Sequence, residues 1–234
     1  MRIKVINPNT TESMTWKIGE AARAAAAIGT KIVACFGDPG LLACREVARG
    51  PVLGIAEAAM HAAAFVATGF SIVTTLARTR VIAAELVERY GMTRFCRAIR
   101  TIDLPVLDLE REGSEARRSV LDECKRAVAE DGAGAIVLGC AGMADLTAEV
   151  QKAVGVPVID GVAAAVKFVE ALVGMGLQTS KVGDLAWPLP KAYTGALAHM
   201  AVTNPPPSPM PTPRGRSTPR RSASRSASSR PAAG

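Results

Sequence analysis

Short apolar runs alternate with longer amphipathic stretches along most of this 234-residue chain, and that alternation restricts the fold more than any other feature. IKVIN (3–7), TKIVAC (30–35), VLGI (52–55), FSIVTT (70–75), GAIVLGC (134–140) and VPVID (156–160) read as strands. TTESMTWKIGEAARAAAA, LLACREVA, AEAAMHAAAFVA, RTRVIAAELVERYG, SEARRSVLDECKRAVAEDG, MADLTAEVQKAVG and GVAAAVKFVEALVGMG read as the helices that follow them. Nearly continuous apolar strands joined by helices predict an α/β fold with parallel sheet covered on both faces. Ligands in such folds sit beyond the carboxyl ends of the strands. Between Gly91 and DLPVLDLE the pattern is irregular and no strand is assigned.

Local signals place several helix ends. Asn9 followed by Glu12 reads as a capping box for the first helix. Asp38 and Pro39 read as N-cap and first helical residue of LLACREVA. Gly91 closes the helix before it.

From Asn204 the chain changes class, to Pro, Ser, Arg and Ala with no acidic or aromatic residue. Such a segment buries too little apolar surface to offset its ordering entropy, so residues 204–234 are expected to be disordered. Six arginines there account for most of the formal charge of +7, leaving +1 for residues 1–203. The basic balance therefore gives no ground for nucleic-acid binding by the folded part, and any phosphate contact is confined to the tail. Five cysteines at irregular spacing form neither a disulfide framework nor a metal-ligand pattern. No signal-peptide profile opens the chain, and GVAAAVKFVEALVGMGL is too short and too charged to cross a bilayer. A reducing cytoplasm is the expected setting.

Two strand ends echo each other. IVACFG (32–37) and VLGCAG (137–142) each finish a strand in Cys-x-Gly, while IKVINPNTT and SIVTTLART each finish one in a Thr-containing turn. Two pseudo-equivalent halves would thus each present one cysteine, Cys35 or Cys140, and one polar turn. Two thiols facing one another can invert a carbon centre, one removing an α-proton and the other returning a proton to the opposite face. Helix N-termini beside the sulfurs would ease ionisation. The backbone N–H groups of Phe36–Gly37 and Ala141–Gly142 could meet the enolate charge.

The other candidates have plainer readings. Cys44, Cys96 and Cys124 fit ordinary packing. His61 and His199 lack partners at ligand spacing, so no metal site is expected. There is no P-loop and no G-x-G-x-x-G, and no lysine in a context that argues for a Schiff base.

NPNT (7–10), ACFGDPGL (34–41), GIAEAAMHAA (54–63), SIVTTLART (71–79), LGCAGMADL (138–146), PVIDGVAAAVK (157–167) and SKVGDLAWPLPKAYTG (180–195) together resemble the aspartate/glutamate/hydantoin racemase superfamily. Cys-Phe-Gly-Asp and Cys-Ala-Gly-Met, in place of the Cys-Asn-Thr of the amino-acid racemases, look like its hydantoin/allantoin branch. The resemblance implies a racemase-like α/β sandwich of two pseudo-symmetric halves, 1–70 plus 175–203 and 71–174. It implies a cofactor-independent isomerase with Cys35 and Cys140 as acid/base pair. Asn9, Thr10, Thr74 and Thr75 would lie at substrate-facing strand ends. Phe36, Gly37, Ala141, Gly142 and Met143 would form the carbonyl cradles. The substrate would be a small cyclic ureide, a 5-substituted hydantoin or allantoin, and the chain could form a homo-oligomer. One departure is notable: family members carry a further βα unit between the segments matching GTKIVA and ACFGDPG, which are fused here. The first half is therefore expected to be shortened. A single-cysteine decarboxylase or isomerase, a catalytically impaired deletion variant, and a binding protein with a phosphate-contacting tail are the alternatives.

Overall fold

A computed structural model of the chain describes residues 4–7, 12–25, 31–111 and 113–201. The proposed Asn9 cap, Thr10 and the Arg/Ser/Pro tail lie outside them. By its contacts the chain divides into residues 1–188, which hold both sheets, and residues 189–234. In the second unit the described residues include a 3-10 turn, Gly195–Met200, and Lys191 beside the ring of Tyr193.

The first unit runs β1 (Lys4–Ile6), α1 (Glu12–Ala25), β2 (Lys31–Val33), α2 (Leu41–Val47), β3 (Val52–Gly54), α3 (Ile55–Val66), β4 (Phe70–Thr74), α4 (Thr79–Arg89), β5 (Cys96–Thr101), α5 (Glu115–Asp131), β6 (Ala135–Leu138), α6 (Thr147–Val154), β7 (Val158–Ile159) and α7 (Gly161–Gly174). All described strand pairs are parallel, in two sheets of order β1-β2-β3 and β5-β4-β6-β7. The α/β expectation therefore holds. Setting β1, β2 and β3 against β4, β6 and β7 leaves the first sheet, among the described residues, short of a counterpart to β5. The absent strand would lie beyond β1, so the shortening falls on an edge.

Alternation along the central strands explains why both faces of the larger sheet are covered. Phe70 and Ile72 of β4, with Ala135 and Val137 of β6, join α3, α4 and α7 in one apolar cluster. Val73, Ile136 and Leu138 point the other way, into a second cluster with α5 and α6. The smaller sheet has a modest outer core of Val33, Leu41, Ala48 and Val52 under α2.

Two readings are corrected. The segment after Gly91 contains a strand, β5, which takes the edge of the larger sheet beside β4. Its arginines mask the pattern: Arg100 projects to α5, donating to Asp131 (2.7 and 2.5 Å), Glu123 (3.0 Å) and Glu130 (2.8 Å). In addition, α2 does begin at Leu41, but its N-cap is Gly40, in the left-handed region at φ 69°. Asp38 is engaged elsewhere.

After α7 the chain returns to the first sheet. Thr179 donates its N–H to Arg49 O and its hydroxyl to Gly50 O. The Lys181 ammonium donates to Arg45 O (2.5 Å) and Glu46 O (2.9 Å), carbonyls at the end of α2, and lies 4.4 Å from the ring centre of Trp187.

Candidate active site

β2 and β6 occupy the same place in their sheets, and hydrogen bonds carry the likeness past their ends. Ala34 N–H donates to Ile6 O (2.9 Å), and Gly139 N–H donates to Val73 O (2.8 Å). The next residues are Cys35 and Cys140. Each opens a turn closed three residues on, where Asp38 N–H donates to Cys35 O (2.9 Å) and Met143 N–H donates to Cys140 O (3.0 Å). In this correspondence Asn7 stands in its half where Thr74 stands in the other. Asn7 donates through Nδ2 to the Thr15 hydroxyl (2.9 Å) and Thr74 shares a 3.2 Å hydrogen bond with Thr79. Each polar strand end is thus fastened to the helix that follows it.

Two causes raise the pKa of Cys140, its burial and the nearby Cys35 thiol. Burial is the larger cause, and together they push Cys140 up to about 11, against the Gly142 N–H, which donates to the sulfur. A Cβ at Gly142 would sit 2.8 Å from a Val106 methyl and 3.7 Å from the Met14 methyl, so apolar groups crowd this turn. Helix ends therefore do not dominate at Cys140, contrary to expectation; desolvation does. Beside the other sulfur, α2 starts only at Leu41 and has seven residues, so it offers Cys35 no well-placed N-terminus.

The remaining candidates fall into distinct settings. Thr74 is buried and its hydroxyl donates to Gly139 O (3.0 Å), bracing the residue before Cys140. Thr75 is buried at the end of β4. Ala141 and Gly142 open the 3-10 turn Ala141–Leu146 behind Cys140. The Met143 side chain is fully buried in the second apolar cluster, which leaves its backbone at the turn. Phe36 packs into the first cluster, and Gly37 is half-buried near Ile82. Asn9 and Thr10 lie outside the described residues. A cleft of about 570 Å³ adjoins the Cys140 turn through Ala141, between α1 and the start of α7, with Lys17, Asp145 and Asp160 on its walls.

Residues 25–169 match the Asp/Glu/hydantoin racemase family. The chain belongs to that family. Among its relatives, a hydantoin racemase of Rhizobium meliloti is 56% identical over 164 residues, 70% of this chain and 68% of the relative. A hydantoin racemase of Pseudomonas sp. (strain NS671) is 42% identical over 84% of this chain and 96% of its own length. That alignment runs for 238 residues, longer than this whole chain, so it is opened by gaps opposite residues that have no counterpart here. Among solved structures, the allantoin racemase from Klebsiella pneumoniae superposes with a TM-score of 0.81 at 49% identity, covering 86% of this chain and 98% of that one. The allantoin racemase of Pseudomonas fluorescens gives 0.79 at 34% identity, covering 83% and 100%. The racemase fold is therefore retained despite the short first sheet.

Sequence reasoning missed several residues around the site. Tyr90, Met14 and Val106 act through contacts between segments far apart in the chain. Asp38 caps a different helix from the one its sequence neighbours suggest, and Asp160 caps its own helix, an Asp before an apolar helical run being the local signal. All five cysteines are free thiols. Among the described residues no helix is long and apolar enough to cross a membrane, and no three His, Cys, Asp or Glu side chains gather to hold a metal ion.

Proposed function

We propose that this chain is a cofactor-independent racemase of five-membered cyclic ureides, 5-substituted hydantoins or allantoin, using Cys35 and Cys140 on opposite faces of the ring. The observation that carries the reading is the matched pair of turns, each placing a cysteine two residues past the end of an interior strand of its sheet. The named activities of the hydantoin and allantoin racemases above supply the substrate class. The α-carbon of such a ring lies next to a carbonyl, so removal of its proton leaves an electron pair delocalised onto oxygen. The base becomes a thiol. The opposite thiol gives its proton to the other face and becomes a thiolate, which completes inversion with no net proton change. Cys140, held protonated by burial, suits the donor role for one enantiomer, and the Gly142 N–H meets the thiolate that results. The peptide N–H groups of Phe36, Gly37 and Ala141 are the candidate donors to the enolate oxygen. Thr74 and Thr75 are the candidates to border the ring at the end of β4, and the family resemblance adds Asn9 and Thr10. Free thiols fit a reducing, cytoplasmic setting.

The test is to incubate each enantiomer of a 5-substituted hydantoin, and of allantoin, in D₂O and follow optical rotation with α-deuterium uptake. Inversion with deuterium incorporation is expected. Cys35→Ser and Cys140→Ser should each abolish inversion, with exchange from one face surviving in one of them. Absence of exchange above buffer would sink the reading and favour a chain impaired by its shortened sheet. Self-association is read separately by sedimentation.

A further inference from the structure

The two halves cap equivalent helices with carboxylates drawn from different places. In the second half Asp160 is the N-cap of α7 and accepts from Val162 N–H (2.9 Å) and Ala163 N–H (3.1 Å). In the first half the N-cap of α3 is Gly54, which has no side chain. The corresponding N–H groups, those of Ala56 (3.1 Å) and Glu57 (2.9 Å), donate instead to Asp38, eighteen and nineteen residues earlier. A third donor, the Tyr90 hydroxyl at the end of α4, reaches the same carboxylate at 2.8 Å. A Cβ at Gly54 would overlap the carboxylate of Asp38, so the glycine is what lets the borrowed cap in. The Cys140 turn has Met143 where the Cys35 turn has Asp38.

Asp38 is 3% exposed and its backbone sits at φ 43°, a conformation uncommon for a residue with a side chain. Such a backbone persists where its surroundings over-determine it, and three hydrogen bonds to one carboxylate do so here. The same residue closes the turn onto Cys35 O. The Cys35 turn is thus tied to α3 and α4 by its own side chain, whereas the Cys140 turn carries no such tie.

We infer that Asp38 is a positioning residue for Cys35, fixing that sulfur and not its partner by anchoring the turn to the N-terminus of α3. The inference rests on the two-cysteine reading above. Removing the carboxylate therefore loosens one face of the site.

Asp38→Met tests this, with Tyr90→Phe as a milder variant that deletes a single bond. Inversion must fall equally in both directions, because the enantiomers have equal energy. Deuterium exchange into unreacted substrate separates the faces, and Cys35→Ser assigns which enantiomer presents its proton to Cys35. In Asp38→Met, exchange from the Cys35 face should fall about tenfold or more, with the Cys140 face changed far less. Tyr90→Phe should show the same face preference in weaker form. The double variant Asp38→Met/Gly54→Asp copies the Met143–Asp160 arrangement and should recover the thermal midpoint while Cys35-face exchange stays low. Equal loss at both faces in Tyr90→Phe, or recovery of Cys35-face exchange in the double variant, would overturn the inference and leave Asp38 as a helix cap. Absence of exchange in the unaltered protein is a different result, which removes the racemase reading itself.

Discussion

The carboxylate of Asp38 fills the space that a Cβ on Gly54 would need, so the turn bearing one sulfur and the start of α3 interlock. Gly54→Ala should accordingly be severe. The carboxylate must leave two buried N–H groups, a change of about 2–3 kcal/mol by the cost of unmade buried hydrogen bonds. Gly40→Ala provides the contrast. Its Cβ would meet nothing within 4 Å, and only the left-handed backbone at φ 69° opposes it. A loss of about 1 kcal/mol is expected there. Urea unfolding of both variants checks the order, and equal losses would contradict it.

Alkaline stability follows from three thiols, Cys124 buried and Cys96 and Cys140 half-buried. Burial, with nearby negative charge, pushes Cys140 and Cys96 up to about 11 and Cys124 up to about 12, from an ordinary 9.0. Above pH 9 the unfolded chain gives up these protons while the folded chain keeps them, so unfolding releases protons and stability falls as pH rises. The contribution is complete below pH 9 and is lost as pH climbs through 11 and 12. Urea midpoints at pH 8, 9, 10 and 11 should be level at first and then decline. Cys124→Ser should flatten the decline, and an unchanged slope in that variant would count against it.

The Arg100 cluster supports the larger sheet from its edge. Asp131, whose carboxyl the guanidinium holds below the usual range, also accepts from the Ser71 hydroxyl at 2.7 Å. Arg100→Met leaves half-buried Asp131 without its cation and Glu123 with Arg126 alone, a loss of about 2–3 kcal/mol for hydrogen bonds between charged groups. Arg97, on the same strand but exposed, should tolerate methionine far better. Thermal unfolding of the two variants measures the difference.

Lys181→Met removes the cation that caps α2, leaving Arg45 O with only the Ala48 N–H and Glu46 O without the ammonium. Its effect should be local: about 1 kcal/mol of stability and faster amide exchange at Thr179, whose N–H is held by Arg49 O. Exchange measured by mass spectrometry over 178–187 should rise while α5 is unaffected. Uniform acceleration across the chain would contradict a local cap.

The fold was largely legible because its central strands are apolar on both faces and its helices keep their period, features carried by adjacent residues. β5 escaped because an edge strand with two arginines reads locally as polar, and the carboxylates that neutralise Arg100 come from a helix more than twenty residues on. The matched cysteine turns were legible because strand, sulfur and glycine recur in order. What the sulfurs experience was not: Val106 and Met14 reach the Cys140 turn only through tertiary packing. Asp38 shows the same divide, since its sequence neighbours offer a helix to cap and its actual partner starts at Ile55.

The short first sheet has a simple consequence for how much of this architecture the chemistry needs. β2 keeps a neighbour on each side, β1 and β3, and both sulfur-bearing strands remain interior in their sheets. The strand without a counterpart is an outer one, which bears neither cysteine. Periphery and interior are therefore separable in this fold: the margin sets the size of the platform, and the inner strands lead into the two cysteine turns.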